Sequence, residues 1–162
     1  MKVSVIMGSM SDYAKVEQAV SILKKFDVCV DVQCLSAHRC LNELTRYLDE
    51  INNNGTEVII AAAGMAAALP GVVAAHTVMP VIGVPIAGSK LDGMDALFSI
   101  VQMPTGIPVA TVAIDGCKNA AYLALQILGN KYPEIKNKII VERENMKNDI
   151  LKANEELNKK NK

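Results

Sequence analysis

Two short stretches hold most of the side chains able to do chemistry. Ser36-Ala37-His38-Arg39 sets an imidazole beside a guanidinium, in a chain with only two histidines. An imidazole gives and takes protons near neutral pH. A guanidinium presents a planar fork of donors that suits a phosphate or a carboxylate. Gly8-Ser9-Met10-Ser11-Asp12 places two hydroxyls and a carboxylate behind a glycine. Gly8 allows a ligand to approach the backbone, and Asp12 can accept two hydrogen bonds from sugar hydroxyls. Each stretch precedes a helical pattern, and the start of a helix exposes N–H groups and a positive dipole end that suit a phosphate. Plainer roles exist for the same residues. Ser11 or Asp12 can simply cap a helix, and His38-Arg39 can be an exposed loop pair.

Three other stretches frame these two. The run Ala61-Ala62-Ala63-Gly64-Met65-Ala66-Ala67-Ala68, leading into Leu69-Pro70-Gly71, lets a ligand come close, although tight helix packing explains its composition equally well. Residues 85–93 carry Gly88 and Gly93 and read as a mobile loop around Ser89, whereas residues 102–108 form a rigid, proline-punctuated connection. His76 falls within a helical pattern and reads as structural. Cys34, His38 and Cys40 match no standard zinc spacing, and Cys34 is expected to point into the sheet, so no metal is expected. There is no GxGxxG after the first strand, no P-loop and no nucleophile elbow, and no carboxylate cluster suits a two-metal site. Any reaction must therefore run on one imidazole, one guanidinium, hydroxyls and backbone amides.

The elements that position these groups alternate. Apolar, β-rich runs fall at residues 3–7, 28–35, 58–63, 81–84 and 109–114. Helical patterns fall between them at 13–26, 41–53, 66–77, 94–101 and 119–128. Strict alternation implies βαβ crossovers and a parallel sheet covered on both faces. In such sheets ligands bind beyond the carboxyl ends of the strands, where the two chemical stretches lie. After Gly129 and Pro133 comes a charged segment with Ile135, Ile139, Met146, Ile150 and Leu157 at helical spacing. This long helix has little sheet left to cover, so docking on a neighbouring subunit is expected, with only the Lys/Asn-rich last residues, Lys162 among them, disordered.

The 162 residues suit one domain, 1–162, with 131–162 as the docking helix. Hydrophobic residues make up 51% and the formal net charge is +0. Those values disfavour disorder and argue against nucleic acid or an anionic membrane as partner. No apolar run is long enough to span a bilayer, and no secretory signal is recognisable, so a cytoplasmic protein with its four cysteines as thiols is expected.

Together, Gly8-Ser9-Met10-Ser11-Asp12, Ser36-Ala37-His38-Arg39, the small-residue run ending Leu69-Pro70-Gly71, Pro80-Val81-Ile82-Gly83-Val84-Pro85 and Gln102-Met103-Pro104-Thr105-Gly106-Ile107-Pro108-Val109 occur in the order and spacing of a known family. Over residues 2–130 the chain resembles the PurE family, the N5-carboxyaminoimidazole ribonucleotide mutases of bacterial purine synthesis. The resemblance implies an α/β protein, a flavodoxin-like three-layer α/β/α sandwich with a parallel sheet and an extended C-terminal helix. It implies an octamer with sites near subunit contacts, a small ribonucleotide substrate, and neither a metal nor an organic cofactor. It assigns His38 as the proton-transfer group, Ser9 and Arg39 to the substrate's phosphate end, and Asp12 to the ribose. Ser11 and Ser36 complete the substrate-binding set, and Gly64 with the small residues after it shapes a carbon dioxide pocket. Two positions depart from the family pattern. Ala68 stands where a histidine usually precedes Leu-Pro-Gly, and Cys40-Leu41 replaces Thr-Pro, which is expected to loosen that loop. A carboxylase using free carbon dioxide, or a non-catalytic nucleotide-binding relative, is the alternative.

Overall fold

The period-two pattern of the first strand sets up two cores. In a computed structural model describing residues 1–88 and 90–161, β1 (Lys2–Met7) sends Val3, Val5 and Met7 to one face and Ile6 to the other. Ser89 and Lys162 lie outside the described residues. The first face is covered by α1 (Tyr13–Lys25), α5 (Cys117–Gly129) and the start of α6 (Pro133–Lys160), through Val16, Leu23, Leu125 and Ile135. The second is covered by α2 (Leu41–Ile51), α3 (Leu69–His76) and α4 (Met94–Val101), through Leu44, Leu48, Val73 and Ile100. Each such side chain, fully buried, contributes about 1.5–3 kcal/mol of transfer free energy. Ser4, inward-facing in β1, is satisfied by the Tyr47 hydroxyl at 2.7 Å.

Five parallel strands form one sheet in the order β2-β1-β3-β4-β5, with β2 (Cys29–Cys34), β3 (Val58–Gly64), β4 (Val81–Ile86) and β5 (Ala110–Thr111). This is the flavodoxin-like arrangement. The chain leaves β1 toward β2 on one side and returns as β3 on the other, opening a crevice between the loops that follow β1 and β3. β3 and β4 are buried nearly throughout, as central strands should be.

Four expectations from sequence change. The final strand shrinks from 109–114 to Ala110–Thr111, because it is an edge strand that turns away after the Val112 N–H reaches the Gly83 carbonyl. The third helix begins at Leu69, not residue 66, because Met65 adopts φ +57° and breaks the approach. Cys34 is exposed and does not point into the sheet, since β2 is the other edge. The terminal helix remains regular through Lys160, and its first turns pack on its own chain. Ile135 and Ile139 are buried there, and ion pairs Lys138–Asp27 (2.6 Å) and Lys25–Glu142 (2.8 Å) flank them. From Val141 onward its apolar residues are exposed.

Gly83 in β4 has no room for a side chain. A Cβ there would lie 2.5 Å from Ile100 Cγ2 and 2.7 Å from Val109 Cγ1, methyls on branched carbons that cannot swing aside. Gly83→Ala is expected to destabilise the fold by about 1–3 kcal/mol. The measurement is the denaturant midpoint, and an unshifted midpoint would show that the α4 side of the sheet yields freely.

Candidate active site

Four loops meet at the carboxyl end of the sheet and enclose a cavity of about 680 Å³. All seven residues singled out from sequence line it: Ser9, Ser11, Asp12, Ser36, His38, Arg39 and Gly64. The position follows from topology, since β1 and β3 are neighbours whose connections diverge.

The loop after β1 is a single 3₁₀ turn, Met10–Asp12. Its cap is Ser9, whose Oγ accepts from the Ser11 N–H at 3.3 Å and from the Ser11 hydroxyl at 2.8 Å. Asp12 precedes α1 but makes no side-chain capping bond to it. Its Oδ1 instead lies 3.2 Å from the Ser11 hydroxyl. Burial pushes the Asp12 carboxyl above its ordinary value, opposed by the Ser11 bond and by the charges of Lys15 and Arg39, and assisted by Asp115. Asp12 therefore leaves a half-buried carboxylate in the cavity lining that caps no helix.

The loop after β2 closes on itself. The Arg39 and Cys40 N–H groups both donate to the Ser36 carbonyl, at 3.3 and 3.0 Å. The Ser36 N–H donates to Cys40 Sγ at 3.0 Å, and the thiol donates back to the Ser36 carbonyl at 3.4 Å. Cys40 thus ties the turn that the absent Thr-Pro was expected to leave loose. Arg39 Nη2 donates to the Gly8 carbonyl at 2.9 Å and Nε to Ser36 Oγ at 3.3 Å. The guanidinium therefore links the first loop to the second and stands over both. His38 is exposed at the crest of this turn, at the mouth of the cavity.

The small-residue run forms the floor. Gly64 ends β3 so close to β4 that a Cβ would lie 3.0 Å from the Ile86 carbonyl. The left-handed Met65 then bends the chain, and Ala66, Ala67 and Ala68 line the cavity before α3 begins. With alanine at 68, His38 is the one imidazole among the described cavity residues. His76 lies elsewhere. It is exposed at the end of α3 beside a hollow of about 940 Å³ near Val81 and Ala110, at the opposite end of the strands. The Asn52 and Thr77 side chains there are bonded to each other at 2.7 Å, so the larger hollow lacks the convergent donors of the smaller.

One cavity residue was missed from sequence. Lys15 lines the cavity and pairs with Asp115 at 2.8 Å. Its signal was present: position 15 falls one turn after Asp12 and shares its side of α1. Among the described residues no group of three or more His, Cys, Asp or Glu is placed to hold a metal ion. No helix among them is long and apolar enough to cross a membrane.

Comparison with known proteins identifies relatives of the whole chain. The family described as AIR carboxylase matches residues 2–149. The N5-carboxyaminoimidazole ribonucleotide mutase of Saccharolobus solfataricus is 54% identical over 150 residues, covering 93% of this chain and 95% of that protein. The mutase of Pyrococcus abyssi is 56% identical over 146 residues, covering 90% and 84%. The crystal structure of Treponema denticola PurE superposes with a TM-score of 0.86 at 30% identity, covering 93% of this chain and 94% of that one.

Proposed function

The chain belongs to the AIR carboxylase family, and from that premise we propose how its cavity works as a mutase in purine biosynthesis. The reaction converts N5-carboxyaminoimidazole ribonucleotide to 4-carboxy-5-aminoimidazole ribonucleotide. The observation that carries this reading is the convergence of one imidazole, one guanidinium, one half-buried carboxylate and three serine hydroxyls on a single cavity with a floor of small residues.

Proton balance explains why so few groups suffice. The substrate loses carbon dioxide from its exocyclic nitrogen, and that nitrogen takes up a proton. The ring carbon then attacks the trapped carbon dioxide and must lose a proton. One proton is given and one recovered, so a single group acting first as acid and then as base closes the cycle. His38 fills that role. Arg39 and Ser9 hold the phosphate, with Ser11 and Ser36 beside them, and Asp12 holds the ribose hydroxyls. Gly64, Ala66 and Ala67 leave space for carbon dioxide next to the ring, where proximity replaces a bimolecular encounter. No organic cofactor or metal takes part in this scheme.

The working unit is an octamer in the cytoplasm, each subunit one domain spanning 1–162. Its long terminal helix, about 42 Å at 1.5 Å per residue, docks its distal turns on a neighbour. The exposure of Val141, Met146, Ile150, Leu151 and Leu157 supports that docking. A second reading, carboxylation of aminoimidazole ribonucleotide by free carbon dioxide, draws on the description of the matching family. Offering each substrate separately decides between them. The expected outcome is faster turnover of the carboxylated substrate. Faster use of free carbon dioxide would make the protein a carboxylase, and binding without exchange would make it a nucleotide-binding relative.

A further inference from the structure

We propose that Lys15 and Asp115 form a positioning pair that fixes the Ala87–Gly88 wall of the substrate cavity. The proposal rests on the mutase reading of the same cavity. β4 ends at Ile86, while its ladder with β5 stops at Gly83. The backbone beyond that point needs other partners, and Asp115 supplies them. Its N–H donates to the Pro85 carbonyl at 2.8 Å, and its Oδ1 accepts the Ala87 N–H at 2.9 Å. One residue thus continues the missing ladder with its main chain and then its side chain. It holds a left-handed φ of +57°, a conformation aspartate tolerates better than most side chains.

Lys15 completes the arrangement from the other side. Its ammonium donates to the Ala87 carbonyl and to both Asp115 oxygens, each at 2.8 Å. All three N–H donors of the ammonium are occupied. The role that follows is to hold the wall, not to bind the ribonucleotide. Ala87 therefore has its N–H and its carbonyl both fixed by this pair. Gly93 returns to the same point, since a Cβ on it would lie 3.2 Å from Ala87 Cα and 2.7 Å from Ile114 Cγ2. Gly93 is thus packed against Ala87, and Ala87 and Gly88 line the cavity. The pair fixes where that wall stands relative to Asp12, three residues before Lys15.

The pair is more than a third exposed on average, at 34% and 38%, so its weight in global stability is small. Its effect falls on ligand binding. Lys15→Met and Asp115→Asn are each expected to raise KM about tenfold and leave kcat within about twofold, the signature of lost ground-state positioning. The double variant is expected to be no worse than either single one, because both remove the same contact. Lys15→Arg is expected to restore most of the loss. Calorimetric titration with 4-carboxy-5-aminoimidazole ribonucleotide gives the dissociation constant in parallel. Unchanged KM and dissociation constant in a wild-type background that turns over would overturn the pair's role and leave the mutase reading standing. Additive losses in the double variant, or melting temperatures that fall with the affinity, would also overturn it. A weakened dissociation constant where the wild type shows no turnover would support the pair and sink the mutase reading.

Discussion

His38→Asn is expected to lower the rate of carboxylate transfer by about 10²–10⁴-fold, the range a positioned acid–base group supplies, and to leave ribonucleotide affinity within about threefold. Asparagine keeps the polarity and much of the volume but cannot carry a proton between the two half-reactions. The turn should survive, because its hydrogen bonds run through Ser36, Arg39 and Cys40 and none uses the imidazole. His38 is exposed, and exposed substitutions away from such bonds usually change stability by less than about 0.5 kcal/mol. Single-turnover rates and calorimetric affinity, measured on the same preparation, check the prediction. Alanine at 68 sharpens the test, since no second imidazole among the described residues lines the cavity to take over. A rate within tenfold of wild type would remove His38 from the chemistry.

Sequence made the topology and the site's location legible for a simple physical reason. Buried parallel strands must be near-continuous apolar runs, and a βαβ crossover leaves every following loop at one end of the sheet. Those two facts placed Ser9, Asp12, His38 and Arg39 together before any coordinates. What stayed hidden depended on backbone conformation and sheet position. Residues 66–68 have helical composition, yet the left-handed Met65 turns them into a cavity floor. Cys34 carries an apolar side chain, but an edge strand exposes it. Cys40 ties its loop through sulfur contacts to Ser36, which no pattern of residue types announces.

The Lys15–Asp115 pair was hidden for a different reason. The two residues are 100 positions apart in the chain and meet only because α1 packs against α5 and both helices begin at the same end of the sheet. Asp115 took no part in the motifs, because its contacts replace ladder bonds whose absence becomes visible only when the last strand proves short. The roles of the site residues rest on family resemblance, while their meeting in one cavity rests on the fold.

Asp12→Asn separates stability from binding, and the sign of each effect follows from one shift. The folded protein holds the Asp12 carboxyl above its ordinary value, chiefly through burial. A carboxyl raised on folding contributes stability that is fully present below the unfolded pKa and is lost as pH rises through the folded one. At neutral pH, therefore, ionised Asp12 weakens the fold. Asparagine is expected to leave the melting temperature at pH 7 unchanged or slightly higher, with that difference vanishing in acid. Binding moves the other way. An ionised carboxylate can accept from two ribose hydroxyls, whereas asparagine would present an N–H₂ to one of them. Hydrogen bonds to charged groups are worth about 1.5–3 kcal/mol each, so affinity for the ribonucleotide should fall by about 10²-fold at pH 7. As pH drops through the raised pKa, wild-type Asp12 becomes protonated and loses the same advantage. The ratio of variant to wild-type dissociation constants should then shrink, beginning at a higher pH than an ordinary aspartate would allow. Titration of the substrate's phosphate is common to both proteins and cancels in that ratio. A ratio that stays constant with pH, or a variant that melts well below wild type at pH 7, would show that Asp12 serves the fold and not the ribose.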